Sequence, residues 1–167
     1  QEANMAEAIS LAKILRDDDV LLESSIDSKA ALLAAAAEHL GRTTGIASES
    51  ILKALADREK LGSTAISRGI AVPHAGIDGL AAPAGVVFRL AQPIEFEASD
   101  NNPVDLVFVL IWPSDKRSGL LATLGGLCRT LRAETLLQEI RKASNKAEIR
   151  QVLDKAAAEA TPRPSES

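Results

Sequence analysis

The chain has 167 residues, of which 46% are hydrophobic and 25% are charged, and this composition is typical of one globular domain with a substantial core. The net charge of −4 and the scarcity of aromatic residues argue against a face that binds nucleic acid through phosphates or base stacking. No apolar run approaches the roughly 20 residues of a membrane-spanning helix, so membrane insertion is not expected. Cys128 has no partner for an internal disulfide, and together these absences predict a cytoplasmic protein.

The first third of the chain shows the pattern helix, strand, helix, helix. The predicted elements are a short helix at 9–15, a strand at 20–26, an Ala-rich helix at 29–40 and another helix at 49–60. Ser28 and Ser48 are predicted to cap the two longer helices, and Gly41 to end the first of them. Residues 1–8 precede this pattern and are interpreted as an N-terminal extension, either native or left over from cloning.

Strands are predicted next, at 69–72, 85–90 and 104–112. The last is continuously apolar after Asp105, as is typical of a central strand covered on both faces. Three further helices are predicted at 118–131, 133–143 and 146–159, with Cys128 as a packed core residue, before a polar tail at 161–167 that we expect to be disordered. We therefore predict a single α/β domain over 9–160, with a mixed β-sheet flanked by helices on both faces.

Several kinds of site are excluded by missing motifs. The chain has no P-loop, no Gly-x-Gly-x-x-Gly and no Gly-x-Ser-x-Gly elbow. Its two histidines and single cysteine lie far apart in sequence, which makes a zinc site improbable. No metal and no other cofactor is predicted.

His74 is the residue with the clearest chemical potential. It follows a predicted strand and Pro73, and the small residues after it leave the imidazole uncrowded. Upstream, Arg58 offers a guanidinium, and Ser63 and Thr64 offer hydroxyls, all of which suit phosphate oxygens. Each also fits an ordinary role: a turn histidine, a helix-end charge and a loop pair. Residue chemistry alone leaves both interpretations open.

The order of the surrounding motifs adds a family resemblance. The segments Arg58-Glu59-Lys60-Leu61-Gly62-Ser63-Thr64 and Gly69-Ile70-Ala71-Val72-Pro73-His74 resemble the signature of the fructose/mannitol-type enzyme IIA domains of bacterial phosphotransferase systems. Three downstream segments follow the same family in order: Pro93-Ile94-Glu95-Phe96, the stretch 100–108 and Pro113-Ser114-Asp115. The resemblance spans roughly Leu11 to Leu153 and is strongest to the nitrogen-regulatory branch.

The resemblance implies a mixed sheet flanked by helices and assigns roles to individual residues. His74 would accept a phosphoryl group from an HPr/NPr-like phosphocarrier, Arg58 would lie near it, and Ser63 and Thr64 would help to position the phosphate. Many members carry a second histidine at the position that is Leu120 here. Lys116 or Arg117, just before it, would either face solvent or supply positive charge nearby.

Three functional outcomes follow from the resemblance. The protein could be a regulator whose phosphorylation state controls binding to target proteins such as a transporter, a kinase or another enzyme. It could instead pass its phosphate to an enzyme IIB of a sugar system, or be a degenerate binding module that is never phosphorylated. In the first two cases it is a phosphotransferase component with a phosphohistidine intermediate rather than an independent metabolic enzyme.

Overall fold

A computed structural model describes residues 9–160, so the expectations for 1–8 and 161–167 lie outside the described residues. Six strands form one sheet. They are β1 (Val20–Glu23), β2 (Ala65–Ser67), β3 (Ile70–Ala71), β4 (His74–Ile77), β5 (Ala84–Ile94) and β6 (Val104–Pro113). The α-helices are α1 (Leu11–Ile14), α2 (Lys29–Thr44), α3 (Ser48–Lys60), α4 (Arg117–Thr130), α5 (Glu134–Lys142) and α6 (Lys146–Ala160), with short 3₁₀ turns at Asp17–Asp19 and Ser114–Lys116.

Strand β6 is the centre of the sheet. It pairs antiparallel with β5, which in turn pairs parallel with β1. On its other side β6 pairs parallel first with β3 and then with β4. Both partners keep the same register, since Ile70 lies opposite Leu106 and His74 opposite Leu110. The sheet is therefore mixed, as predicted, and β3 and β4 form one line of strand that is interrupted just before His74.

Alternate residues of β6 face two separate cores. Leu106, Phe108 and Leu110 belong to a cluster with residues of α4, α5 and α6. Val107 and Val109 belong to a cluster with residues of α2 and α3. Helices thus cover both faces of the sheet, which confirms the predicted layers and explains the continuously apolar sequence of β6.

Two predicted helix boundaries are wrong. Helix α2 continues through Gly41 to Thr44 and ends at Gly45, which adopts φ of 82°. Gly41 serves close packing instead, because a Cβ there would lie 3.1 Å from the Ile46 carbonyl oxygen. Helix α3 begins at Ser48 itself, with Ala47 as an N-cap that provides no side-chain hydrogen bond.

The second histidine and the cysteine both contribute to packing. His39 is buried on α2, and its Nε2 lies 2.6 Å from Oδ1 of the equally buried Asp19. Cys128 is only partly buried and packs against the core beneath α4. No helix within residues 9–160 has the length and apolar character needed to cross a membrane.

Candidate functional site

His74 is the first residue of β4, at the point where the interrupted strand resumes beside β6. The backbone of this segment is fixed because the Leu110 N–H donates to the Pro73 carbonyl oxygen at 3.0 Å. Val72 and Pro73 are buried, whereas the His74 side chain is half-buried. The rigid centre of the sheet therefore positions an imidazole that remains partly open to solvent.

The hydrogen bonds of His74 define one tautomer of its ring. Nδ1 lies 2.9 Å from the Val72 carbonyl oxygen, which can only accept, so Nδ1 carries the proton and donates it. Nε2 then holds the lone pair, and it accepts a hydrogen bond from Nε–H of Arg58 at 3.3 Å. Both contacts agree, and they leave Nε2 as the nucleophilic nitrogen.

Burial and charge both favour the neutral form of this ring. Desolvation is the largest effect and lowers the pKa of His74 below its usual value of 6.5. The positive charges of Arg58 and Arg117 lower it further, while the Val72 carbonyl and Glu59 act in the opposite direction. The imidazole is therefore uncharged at neutral pH and able to act as a nucleophile.

Arg58 projects from the last turn of α3 and bridges the imidazole to the following loop. Besides its contact with His74, its Nη1 donates to the Gly62 carbonyl oxygen at 2.9 Å. Its Nη2 makes no hydrogen bond to any residue between 9 and 160. The guanidinium is thus held beside Nε2 with donor capacity left over for an anion.

Thr64 is buried, and its polar groups are engaged with Glu59 rather than with His74. The Thr64 N–H and hydroxyl each donate to the Glu59 carboxylate at 2.8 Å. Lys29 of α2 lies 3.0 Å from the same carboxylate. The Thr64 carbonyl oxygen accepts from the Val72 N–H at 3.0 Å, so this network supports the residue whose own carbonyl orients His74.

Ser63 is also engaged locally. Its hydroxyl donates to the Phe96 carbonyl oxygen at 2.5 Å and accepts from the Ala65 N–H at 3.1 Å. The structure thus brings Arg58 directly to His74, while it connects Ser63 and Thr64 to the loop that surrounds them. Direct donation from either hydroxyl to a phosphate stays a prediction.

Glu59 and the Val72 carbonyl are parts of the site that the sequence did not reveal. In the sequence, the only hint of a role for Glu59 is its place next to Arg58 in the segment 58–64 that carries the family resemblance. A glutamate in the last turn of a helix normally faces solvent. Here it is 8% exposed because Lys29 and Thr64 surround it.

Leu120, which the resemblance aligns with the second histidine of many members, is 2% exposed and packs in the core together with Val72 and Trp112. It brings no polar group to the site. Arg117, one turn earlier on α4, is exposed and lies within electrostatic reach of His74. Residues 9–160 contain no group of three or more His, Cys, Asp or Glu side chains arranged to hold a metal ion.

The fold and the order of the motifs define a single enzyme IIA domain of the α/β type. The model of the family described as phosphoenolpyruvate-dependent sugar phosphotransferase system, EIIA 2, matches residues 13–156, and the chain belongs to this family.

Within the family, the chain is similar to nitrogen regulatory proteins. It is 34% identical over 155 residues to the nitrogen regulatory protein of Klebsiella oxytoca, covering 92% of this chain and 95% of the relative. The corresponding Escherichia coli K12 protein is 33% identical over 147 residues, with 87% and 90% of the two chains covered. The crystal structure of nitrogen regulatory protein IIA-Ntr from Neisseria meningitidis superposes with a TM-score of 0.82 at 29% identity, covering 86% of this chain and 98% of that one.

A solved complex of Escherichia coli enzyme IIA for mannitol with phosphorylated enzyme IIB contains the same fold. The match has a TM-score of 0.72 and covers 84% of this chain and 99% of that one. At 18% identity it shows the fold alone.

Proposed function

We propose that this protein is a phosphocarrier that accepts a phosphoryl group on Nε2 of His74 from an HPr/NPr-like phosphocarrier protein. The observation that carries the proposal is the hydrogen-bonding of the imidazole. Its Nδ1–H is held by Val72, its Nε2 lone pair faces Arg58, and the ring is neutral. A neutral nucleophile beside a fixed cation is what the capture of an anionic phosphoryl group requires.

The transfer exchanges one N–P bond for another. The Nε2 lone pair of His74 gives up its hydrogen bond from Arg58 Nε–H and attacks the phosphorus, and the N–P bond of the donor phosphohistidine breaks. The donor ring leaves as a neutral imidazole if its other nitrogen carries a proton during the transfer. His74 keeps its proton on Nδ1, where the Val72 carbonyl holds it at 2.9 Å, so the new phosphohistidine is an imidazolium that can again act as a leaving group.

Arg58 supplies the electrostatic stabilisation that this step needs. In a loose, in-line transition state, negative charge spreads over the three equatorial oxygens of the transferred phosphoryl group. The guanidinium already contacts Nε2 and has unengaged N–H groups to follow those oxygens. Ser63 and Thr64 contribute by holding the loop and the Val72 segment, and their hydroxyls could turn to the phosphate only by giving up their present partners.

A protein donor would also need an accessible surface beside the histidine. Leu61, at the end of α3, is 84% exposed and lies between Arg58 and its acceptor Gly62. A single exposed leucine is common on protein surfaces; what favours a docking role here is its position in the loop that Arg58 contacts. We therefore place Leu61 in the surface that docks the phosphocarrier.

Phosphorylation would also serve as a regulatory signal. One phosphoryl group adds about −1.5 to −2 charges at neutral pH, enough to alter a small interface. The similarity to nitrogen regulatory proteins supports control of target proteins, such as a transporter, a kinase or another enzyme, by the phosphorylation state. Onward transfer to an enzyme IIB is the second candidate, since the matching mannitol enzyme IIA was solved with phosphorylated enzyme IIB.

The test of acceptance is to incubate the protein with phosphorylated phosphocarrier and measure its mass. Wild type should gain one acid-labile, alkali-stable phosphate, and His74→Ala should gain none. His39→Gln, which alters the other histidine, is the matched control and should be phosphorylated whenever it is folded. Absence of phosphate on wild type, or equal labelling of His74→Ala, would contradict the proposal.

The test of onward transfer uses the phosphorylated protein and a panel of enzyme IIB domains. Loss of phosphate from His74 with its appearance on one of them would establish the carrier role. Phosphate that persists with every enzyme IIB would favour the regulatory role.

A further inference from the structure

The turn after β6 is held against the strand that begins with His74. The parallel register places Pro113, at the end of β6, opposite Ile77. Immediately beyond these residues the Ser114 hydroxyl donates to Oδ1 of Asp78 at 2.5 Å. This hydrogen bond and the strand pairing link the 3₁₀ turn that starts at Ser114, and with it the start of α4, to the end of β4.

Gly76 also lies next to this turn. A Cβ on Gly76, the third residue of β4, would lie 3.4 Å from the Ser114 Cα. Two residues of β4 thus adjoin the turn: Gly76 lies beside Ser114, and Ile77 pairs with Pro113. Arg117 follows this turn as the first residue of α4.

The inner face of α4 also fixes its rotation. Gly119 lies directly against Trp112, since a Cβ there would be 3.2 Å from the indole Nε1. Leu120 is buried in the core with Val72, the residue whose carbonyl oxygen accepts a hydrogen bond from Nδ1–H of His74. Arg117, three residues before Leu120, is exposed, and it makes no ion pair or hydrogen bond with any residue between 9 and 160.

We propose that Arg117 is a second cationic residue of the phosphoryl site, which acts together with Arg58 on the oxygens of a phosphoryl group attached to His74. The inference rests on the proposed function. It assigns to Arg117 the phosphate-binding role that a second histidine could have at position 120. Arg117 is already within electrostatic reach, because its charge contributes to the lowered pKa of His74. An unpaired guanidinium on an anchored helix end is free to bind an arriving anion at little cost.

Two arginines would balance the charge that the phosphoryl group brings. The group carries about −1.5 to −2 charges, and Arg58 and Arg117 together carry two positive ones. Unlike a histidine, arginine stays protonated throughout the physiological pH range. Loss of one charge-assisted contact to phosphate should slow acceptance roughly 10- to 100-fold.

The experiment compares Arg117→Gln with Lys116→Gln, its matched control. Lys116 is the adjacent exposed cation, and it is not among the charges that shift the pKa of His74. Arg117→Lys tests rescue by charge without the planar fork. The readouts are the rate of phosphate acceptance from phosphorylated carrier, the lifetime of the phosphohistidine at neutral pH, and the His74 pKa measured by NMR in the unphosphorylated protein.

The inference predicts slower acceptance and a higher His74 pKa in Arg117→Gln, near-normal values in Lys116→Gln and intermediate behaviour in Arg117→Lys. Thermal unfolding should be unchanged in all three, because these side chains are exposed. Acceptance by Arg117→Gln as fast as by Lys116→Gln would overturn the inference while leaving the proposed function intact.

Failure of the proposed function itself gives a different result. If wild type gains no phosphate from the carrier, inorganic phosphate is titrated into the unphosphorylated protein and the His74 ring signals are followed by NMR. Arg117→Gln must then weaken the phosphate-induced shift relative to Lys116→Gln. Equal shifts in the two variants would overturn the inference in this case as well.

Discussion

Thr64→Val isolates the buried hydrogen-bond network behind the histidine. The substitution keeps the shape of the side chain and removes only the hydroxyl that donates to Glu59 at 2.8 Å. Glu59 is 8% exposed, so water cannot replace the missing donor. A hydrogen bond to a charged group contributes about 1.5–3 kcal/mol, and we expect the free energy of unfolding to fall by that amount.

The loss should be visible in both thermal and chemical unfolding. For a chain of this size each kcal/mol corresponds to roughly 2–4 °C, so the melting temperature should fall by roughly 3–12 °C. Thr43→Val is the matched control, because the Thr43 hydroxyl makes only a 3.3 Å contact to the Leu40 carbonyl oxygen within α2. Urea titrations of the two variants give the comparison directly.

Thr64→Val also tests whether the Thr64 hydroxyl supports the site indirectly or contacts the phosphate itself. Because the Thr64 hydroxyl is committed to Glu59, Thr64→Val should slow phosphate acceptance less than Arg58→Gln does, at a temperature where both are folded. A loss of stability below about 0.5 kcal/mol, or no greater than that of Thr43→Val, would refute the reasoning about a buried, water-free carboxylate.

Three further predictions follow from particular contacts. The pKa of His74 in the folded protein is lowered from 6.5, so the unfolded state takes up its proton first as pH falls. The free energy of unfolding of wild type, measured in urea titrations, should therefore fall relative to that of His74→Gln below about pH 6.5. Above that pH the difference between the two should stay constant. Gly69→Ala should destabilise more than Gly45→Ala in thermal unfolding. Both have positive φ, but only at Gly69 would a Cβ meet a neighbour, Arg141 Nη2 at 2.8 Å, which could move away only by giving up its hydrogen bonds to Asp105 and the Arg68 carbonyl oxygen. His39→Ala leaves the buried Asp19 carboxylate without its 2.6 Å partner, so chemical unfolding should show a loss of about 3–5 kcal/mol, much of which Asp19→Asn in the same chain should recover.

The layers of the fold could be predicted because periodicity reports burial. The apolar run of β6 required a strand covered on both faces, and the two core clusters confirm that arrangement. The end of α2 was harder to predict, because either of two nearby glycines, Gly41 or Gly45, could have ended the helix. One permits a close contact and the other a left-handed backbone, and only the packing of Ile46 distinguishes the two uses.

Some residues of the candidate site could likewise be predicted from the sequence, and others could not. The motifs that carry the resemblance singled out His74 and Arg58, and the structure places them in contact at 3.3 Å. The role of Glu59 could not be predicted, because its burial depends on Lys29 of another helix, α2. The tautomer of His74 also depends on a carbonyl oxygen, and backbone groups leave no mark in a sequence.

The chemistry of position 120 explains why an apolar residue there is compatible with the proposed phosphoryl site. A polar side chain that is 2% exposed requires a hydrogen-bond partner, whereas a buried leucine contributes about 1.5–3 kcal/mol by its burial alone. Leu120 therefore strengthens the packing of α4 on Trp112, and that packing fixes the helix end from which Arg117 projects. Under the proposal, Leu120 occupies the place of the second histidine and helps to hold the helix, while Arg117 supplies the positive charge that a second histidine could have supplied.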